Sequence, residues 1–496
     1  METGTLVSLA LYFVLMLGIG VYSYVKTEND VSGYMLGGRQ LGPAVTALSA
    51  GASDMSGWML LGLPGAMFVS GLSSGWIAVG LLVGALLNYV FVAPRLRTYT
   101  EVAGDAITIP DYFEKRFHDN THTLRVLSAV VIIVFFTFYT ASGVVAGGKL
   151  FESAFGLDYS FGLWITAGVV VAYTLFGGFM AVSITDFVQG CIMFVALVLV
   201  PVVALNGLGD ESLSSQLSAI DPALMDLFGG GLGIVAILSA ASWGLGYFGQ
   251  PHIIVRFMAI RSVEDVPIAR NIGMGWMTVT IIGACATGLI GLAYARANGI
   301  VIEDPETIFI LLSQILFHPL IAGFLLAAIL AAIMSTISSQ LLVASSSLTE
   351  DAYRLFLRRG ASQGELVIVG RLAVLAVALV AIGLAYDRSS NVLTLVSNAW
   401  AGFGAAFGPL ILASLWWRRT TFAAALASIV TGAVTVLIWV YGGFTLAGEP
   451  LSAVMYEIVP GFLLSSLALA VVSLATRPAQ ATVQVFDEVD SSFRPA

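Results

Sequence analysis

The chain has 496 residues, 58% of them hydrophobic and only 10% charged, with a formal net charge of −9. Soluble domains carry about 25% charged residues, so this composition excludes a soluble globular protein and leaves a polytopic membrane protein. Cys191 and Cys285 both lie in apolar runs and offer no disulfide framework, and His118, His122, His252 and His318 are too scattered for a metal site of the imidazole kind.

Apolar runs of spanning length begin near residues 5, 42, 74, 124, 160, 186, 231, 271, 319, 366, 391, 421 and 455. At about 20 residues per crossing they predict about 13 transmembrane helices. The first run, Thr5 to Val25, lacks a basic region before it and an evident cleavage site, so it is expected to be a mature span. Threading the spans with the N-terminus outside places eighteen of the 21 basic residues on the cytoplasmic side; Lys149, Arg296 and Arg388 fall outside. That bias predicts an N-out, C-in orientation.

The second run carries Ser49-Ala50-Gly51-Ala52-Ser53-Asp54-Met55-Ser56-Gly57-Trp58. A carboxylate at bilayer depth costs roughly 2.5–3.5 kcal/mol on insertion scales, so Asp54 should face protein, an ion or water. Gly51 and Gly57 lower the cost of leaving helical geometry. A helix unwound here would free backbone carbonyls at mid-membrane, as in the discontinuous helices of secondary transporters. The segment reads as the core of an ion-coupled transport site. The bland alternative is a buried carboxyl satisfied by nearby backbone.

Next in the chain, about Arg95 to Thr123 mixes charge with the apolar Ala106–Phe113 stretch and reads as a structured cytoplasmic connection. A second interruption follows at Trp243-Gly244-Leu245-Gly246-Tyr247-Phe248-Gly249-Gln250-Pro251-His252, where three glycines and a proline weaken a helix. If the first span is accessory, each broken helix opens a group of five, and an odd number of spans inverts the second group. Interrupted helices at matching positions of two halves point to a transporter binding site. Arg256 is expected to snorkel to the cytoplasmic face.

On the ninth span, Ala332, Ser335 and Thr336 are spaced i, i+3, i+4 and share one face. Their oxygens are suited to combine with carbonyls freed near Ala52 and Met55 around a hard cation such as Na⁺. Bonds to the i−4 carbonyl or helix packing are the ordinary alternatives. The tail after Arg477 is polar and acidic and is expected to be disordered. The intramembrane nucleophile and base that an enzyme would need are not apparent, so a non-enzyme is expected.

These motifs, together with Leu36-Gly37-Gly38-Arg39, Gly177-Gly178-Phe179-Met180-Ala181-Val182 before Thr185-Asp186, and Trp400-Ala401-Gly402-Phe403-Gly404-Ala405-Ala406-Phe407-Gly408-Pro409, resemble the sodium/solute symporter family. The likeness runs to about Gly461 and is greatest toward the bacterial carriers of proline. It implies an all-α polytopic fold whose core is two inverted five-helix repeats, similar to the leucine transporter. The implied division is 1–41 accessory helix and loop, 42–210 first repeat, 228–420 second repeat, 421–476 two accessory helices and 477–496 tail. The resemblance also implies Na⁺ on Ala52, Met55, Ala332, Ser335 and Thr336, and L-proline near Ser56, Gly57, Tyr139, Trp243, Tyr247 and Pro251. Asp54, Arg39 and Asp186 would serve coupling. It implies Na⁺-driven import of L-proline across the bilayer of a bacterial plasma (inner) membrane, without a cofactor, nucleic acid or obligate protein partner. Another small solute (amino acid, sugar or organic acid), coupling to H⁺, and a channel stay open as alternatives.

Overall fold

The computed structural model describes residues 2–26, 31–209, 211–229, 233–386 and 391–493. Arg388 and Arg494, used in the charge count, lie outside the described residues. Among the described residues, ten helices are long and apolar enough to cross a membrane, and three further apolar helices are shorter.

The first helix, α1 (Thr3–Lys26), has no acidic or basic residue before its last position. It presents Leu11, Val14 and Val21 outward while burying Leu9, Tyr12 and Met16. Helix α2 (Pro43–Asp54) starts behind an extended Gly42 with Pro43 in its first turn, a position where a missing N–H costs nothing. A π-helical turn, Trp58–Gly62, leads into α3 (Leu63–Ser70). Then come α4 (Gly75–Leu87), α5 (Ala93–Val102), the short α6 (Ile109–Phe117) and the long α7 (Thr123–Phe155). The Arg95–Thr123 connection is indeed ordered. Thr108 caps α6 by accepting from the Asp111 N–H, and Arg125 reaches Asp111, Glu114 and Asp351.

Helix α8 (Tyr159–Asn206) covers two of the expected runs in one 48-residue stretch. Its halves part at Gly178, whose φ of 57° and ψ of −153° suit only glycine. A Cβ there would lie 2.6 Å from the Tyr34 ring. The second broken region consists of α9 (Ile234–Ala241), a 3₁₀ segment over Ser242–Gly249, and α10 (Pro251–Ala259). Thereafter come α11 (Val266–Ala297), α12 (Ile308–Leu316), α13 (Pro319–Ser346), α14 (Gln363–Leu384), α15 (Val392–Trp416), α16 (Phe422–Tyr441) and α17 (Ile458–Ala475). A two-residue antiparallel pairing, Thr445–Leu446 with Glu449–Pro450, decorates the α16–α17 connection. Helix α13 is buried on all sides through its middle, so it forms the axis on which α1, α2, α7 and α8 pack.

The tail departs from its expected disorder. Gln480–Ser492 forms a helix, α18. Phe486 and Val489, one helical turn apart, are buried, while Asp487 pairs with Arg418 and Asp490 with Arg95 at 2.7 Å. Its acidity is matched by arginines from distant parts of the chain, so it does not remain in solvent.

Candidate functional site

Helix α2 ends at Asp54 because the backbone turns away: Met55 has φ −80° and ψ 77°. The Ser56 N–H, which would reach the Ala52 carbonyl in a continuing helix, bonds to the Asp54 carbonyl instead at 2.9 Å. The Ala52 carbonyl accepts from α13. The Ser335 hydroxyl donates to it at 2.7 Å and the Thr336 hydroxyl lies 3.5 Å away. Both hydroxyls also lie within reach of the Ala332 carbonyl, at 3.0 and 3.2 Å. Thus Ala52, Ala332, Ser335 and Thr336 bring four oxygens together, and Met55 adjoins them at the same helix end. The set carries no formal charge. Neutral oxygens of this kind suit a hard, weakly charged cation.

Asp54 is not part of that cluster. Its carboxylate accepts from the Tyr247 hydroxyl, while its other oxygen is buried with no hydrogen-bond partner among the described residues. Beside it lies a cavity of about 20 Å³ lined in part by Asp54, Asn88, Tyr89 and Tyr247, room for about one water-sized guest.

The interrupted α9–α10 region supplies an aromatic enclosure. Trp243 stacks on Tyr456 at 5.3 Å and on Trp400 at 6.5 Å, and its ring lies 6.4 Å from Trp58. Tyr247 meets Trp400 edge-on at 5.1 Å. Gly246 is necessary to this packing, since a Cβ there would lie 1.9 Å from the Trp400 indole nitrogen. The Trp400 N–H donates to the Trp243 carbonyl at 2.7 Å. Pro251 opens α10 after an extended Gln250, and the Gln250 side chain donates to the Trp400 carbonyl at 3.0 Å. Tyr139, from α7, is buried and sets its ring edge-on to His252 at 5.9 Å. Gly57 lies where a Cβ would come within 2.9 Å of Ala146 and 3.2 Å of Ile333. The Ser56 hydroxyl lies 3.5 Å from the Trp58 N–H. A cavity of about 590 Å³, lined in part by Ser239, Trp243, Asn398, Tyr456 and Glu457, borders the aromatic cluster at Trp243 and Tyr456. Its volume is that of a small-molecule site.

Asp186 and Arg256 form a third cluster. They pair at 3.1 Å with both side chains at 0% exposure. Ser49 donates to Asp186 at 2.7 Å, and Arg256 donates to Ser49 at 3.1 Å, Ser339 at 2.5 Å and the His252 carbonyl at 2.6 Å. This corrects the expectation that Arg256 snorkels. The chain beyond α10 is itself covered: Leu41 bridges Ile260 and Arg97 donates to the Ile260 carbonyl at 2.6 Å, and the Arg256 side chain is fully buried. Two opposite charges in separate apolar runs were the available signal for the pairing.

Arg39 stands apart from all three clusters. Its own backbone is left-handed, with φ 55°. The guanidinium binds Asp105 at 2.9 Å, the Ala106 and Met258 carbonyls at 2.7 Å and Thr100 at 3.2 Å. It therefore clasps the α5–α6 connection to the end of α10. Trp400 and Tyr456 were not singled out as site residues from the sequence; a tryptophan just before a glycine-rich helical stretch was the signal for the first.

Solved structures with the same fold include a Na⁺-coupled sialic acid symporter in a substrate-bound outward-open state, with TM-score 0.80, 19% identity, and coverage of 97% of this chain and 99% of that one. The nucleobase-cation-symport-1 transporter Mhp1 follows with TM-score 0.56, 15% identity, and coverage of 92% and 98%. Much higher sequence identity links the chain to the osmoregulated proline transporter OpuE of Bacillus subtilis, at 57% over 100% of this chain and 99% of the relative. The high-affinity proline transporter PutP of the same organism is 58% identical over 96% and 100%, and the sodium/proline symporter of Staphylococcus aureus 54% over 97% and 94%. Residues 34–432 match the model of the sodium:solute symporter family. With that match spanning most of the chain and these identities along nearly all of it, the chain belongs to the sodium:solute symporter family.

Proposed function

We propose that the protein is a Na⁺-coupled symporter that imports L-proline by alternating access. The observation that carries this reading is the Ser335-to-Ala52 contact at 2.7 Å, which joins the broken end of α2 to the oxygen-bearing face of α13. Relatives 54–58% identical are a sodium/proline symporter and two proline transporters.

In this reading Na⁺ takes the carbonyls of Ala52, Met55 and Ala332 and the hydroxyls of Ser335 and Thr336. Binding replaces the hydroxyl-to-carbonyl hydrogen bonds with ligation of the ion by the same neutral oxygens, and it fixes the unwound segment. Ser56 and Gly57 belong to that same segment, so they are ordered with it. Proline then sits among Ser56, Gly57, Tyr139, Trp243, Tyr247 and Pro251, its ring against the aromatic faces. The two ligands favour each other because each stabilises the same stretch of chain. Asp54 holds Tyr247 and thereby links the ion-binding segment to the solute enclosure. Asp186 braces α2 and α13 one helical turn from the ion site, and Arg39 braces the far end, where the path to the cytoplasm must open. The repeats span 42–210 and 228–420 and rock against each other. The 477–496 tail and the 1–41 and 421–476 helices lie outside them.

The N-terminus lies outside and the C-terminus in the cytoplasm of a bacterial inner membrane, following the basic-residue bias. One charge crossing 100 mV supplies about 2.3 kcal/mol before any Na⁺ gradient is added. Competition of labelled proline by a panel of amino acids, sugars and organic acids, in Na⁺ and in Na⁺-free medium with a pH gradient, tests the reading. Proline is expected to compete best and only Na⁺ to drive uptake. Stronger competition by another solute, or uptake driven by the pH gradient alone, would overturn it.

A further inference from the structure

Helix α1 precedes both proposed repeats, yet three of its polar side chains, Thr5, Ser8 and Tyr12, bond to the helix that carries Ser335. Thr5 donates to the Pro319 carbonyl at 3.1 Å and Ser8 to the Leu320 carbonyl at 2.7 Å. The backbones approach closely: a Cβ on Gly4 would lie 2.9 Å from the Leu320 nitrogen, and one on Gly323 would lie 2.8 Å from the Thr5 Cα. Deeper in the span, the Tyr12 hydroxyl accepts from the Gln189 amide at 2.8 Å and donates to the Met334 sulfur at 3.6 Å. Tyr173, on α8, donates to the Met334 carbonyl at 3.0 Å. All four side chains are buried. Met334 immediately precedes Ser335 and lies two residues after Ala332. Gln189 lies one helical turn from Asp186, which binds Ser49 on α2.

A helix needed only to fill lipid-facing surface has no use for a tyrosine at this depth. Polar contacts between membrane helices are worth about 0.6 kcal/mol on average, and their directionality fixes rotation and register where apolar packing alone does not. We propose that α1 is a brace for the sodium site and that Tyr12 is a positioning residue. By holding the Met334 sulfur while Tyr173 holds the Met334 carbonyl, it sets the rotation of α13 at which Ser335 and Thr336 face Ala52. The inference rests on the assignment of these oxygens to Na⁺.

The test measures, in proteoliposomes, the Na⁺ concentration for half-maximal proline uptake and the proline KM at saturating Na⁺, for wild type, Tyr12→Phe and Ser335→Ala. Tyr12→Phe removes one buried hydroxyl and is expected to raise the Na⁺ requirement about threefold to tenfold, with the proline KM within about twofold of wild type. If Tyr12→Phe accumulates poorly, Gln189→Met removes the amide that orients the hydroxyl and is read the same way. An unchanged Na⁺ requirement beside a shifted Ser335→Ala would overturn the positioning role alone. A parallel rise in proline KM would also overturn it, since that marks general loosening. An unchanged Ser335→Ala would remove the sodium assignment and this inference with it.

Discussion

Arg256 and Asp186 form an ion pair from which solvent is excluded on every side, tied at 3.1 Å between α10 and α8 and completed by Ser49 and Ser339. The pair joins α10 to α8, α2 and α13 immediately beside the oxygen cluster. Removing one partner leaves the other charge buried and uncompensated, a loss of about 3–5 kcal/mol. Arg256→Gln and Asp186→Asn are each expected to lower the thermal unfolding midpoint of the purified protein. The double variant should recover part of that loss. Single variants as stable as wild type would refute the structural weight given to the pair.

Asp54 and Tyr247 join the ion-binding segment to the aromatic enclosure through one hydrogen bond. Asp54→Asn is expected to depress Na⁺-driven uptake strongly while leaving the amount of protein in the membrane unchanged. Tyr247→Phe keeps the ring against Trp400 and removes the donor, so it should give a loss of about tenfold to a hundredfold, the scale of one hydrogen bond to a charged group. Uptake kinetics beside immunoblotting check both. Full activity in Asp54→Asn would contradict the coupling role.

Gly246 is the position where a single methyl group should do most harm to the enclosure. Its Cβ would overlap the Trp400 indole, and overpacking of this kind costs typically about 1–3 kcal/mol. Gly246→Ala is expected to raise the proline KM and lower stability, read by uptake and thermal unfolding. Gly275 has open space around it, so Gly275→Ala should be neutral in both.

The C-terminal helix is held partly by the exposed Arg418–Asp487 pair and partly by the less exposed Arg95–Asp490 pair. Exposed pairs are weak and screened by salt. Hydrogen exchange over 480–492 is therefore expected to speed up in high salt and in Asp487→Asn, and more so in Phe486→Ala. Protection insensitive to all three would show that other contacts hold the helix.

Much of the oxygen cluster was legible in the sequence because its signals are local. A carboxylate between glycines marks the end of α2, and the spacing of Ala332, Ser335 and Thr336 sets one helical face. The kink at Gly178 was half legible: two apolar runs were evident, but not that they form one stretch hinged on a positive φ. Arg256 was misread because snorkelling depends on water at the helix end, and only the folded chain reveals that Leu41 and Arg97 cover that end. Helix α18 was misread for a related reason. Its acids look solvated until Arg418 and Arg95 arrive from elsewhere in the chain. Tyr12 lay inside an apolar run, and its partners on α8 and α13 are set by packing alone.

The most direct measurement is uptake of labelled proline into proteoliposomes under an imposed inward Na⁺ gradient, compared with K⁺, for wild type and the Ser335→Ala/Thr336→Ala variant. Wild type should accumulate proline above equilibrium in Na⁺ alone, and the variant should need at least about tenfold more Na⁺, a change of about 1.4 kcal/mol in ion binding. Equal accumulation in K⁺, or an unaltered Na⁺ requirement in the variant, would contradict a Na⁺ site shared by Ala52 and Ser335.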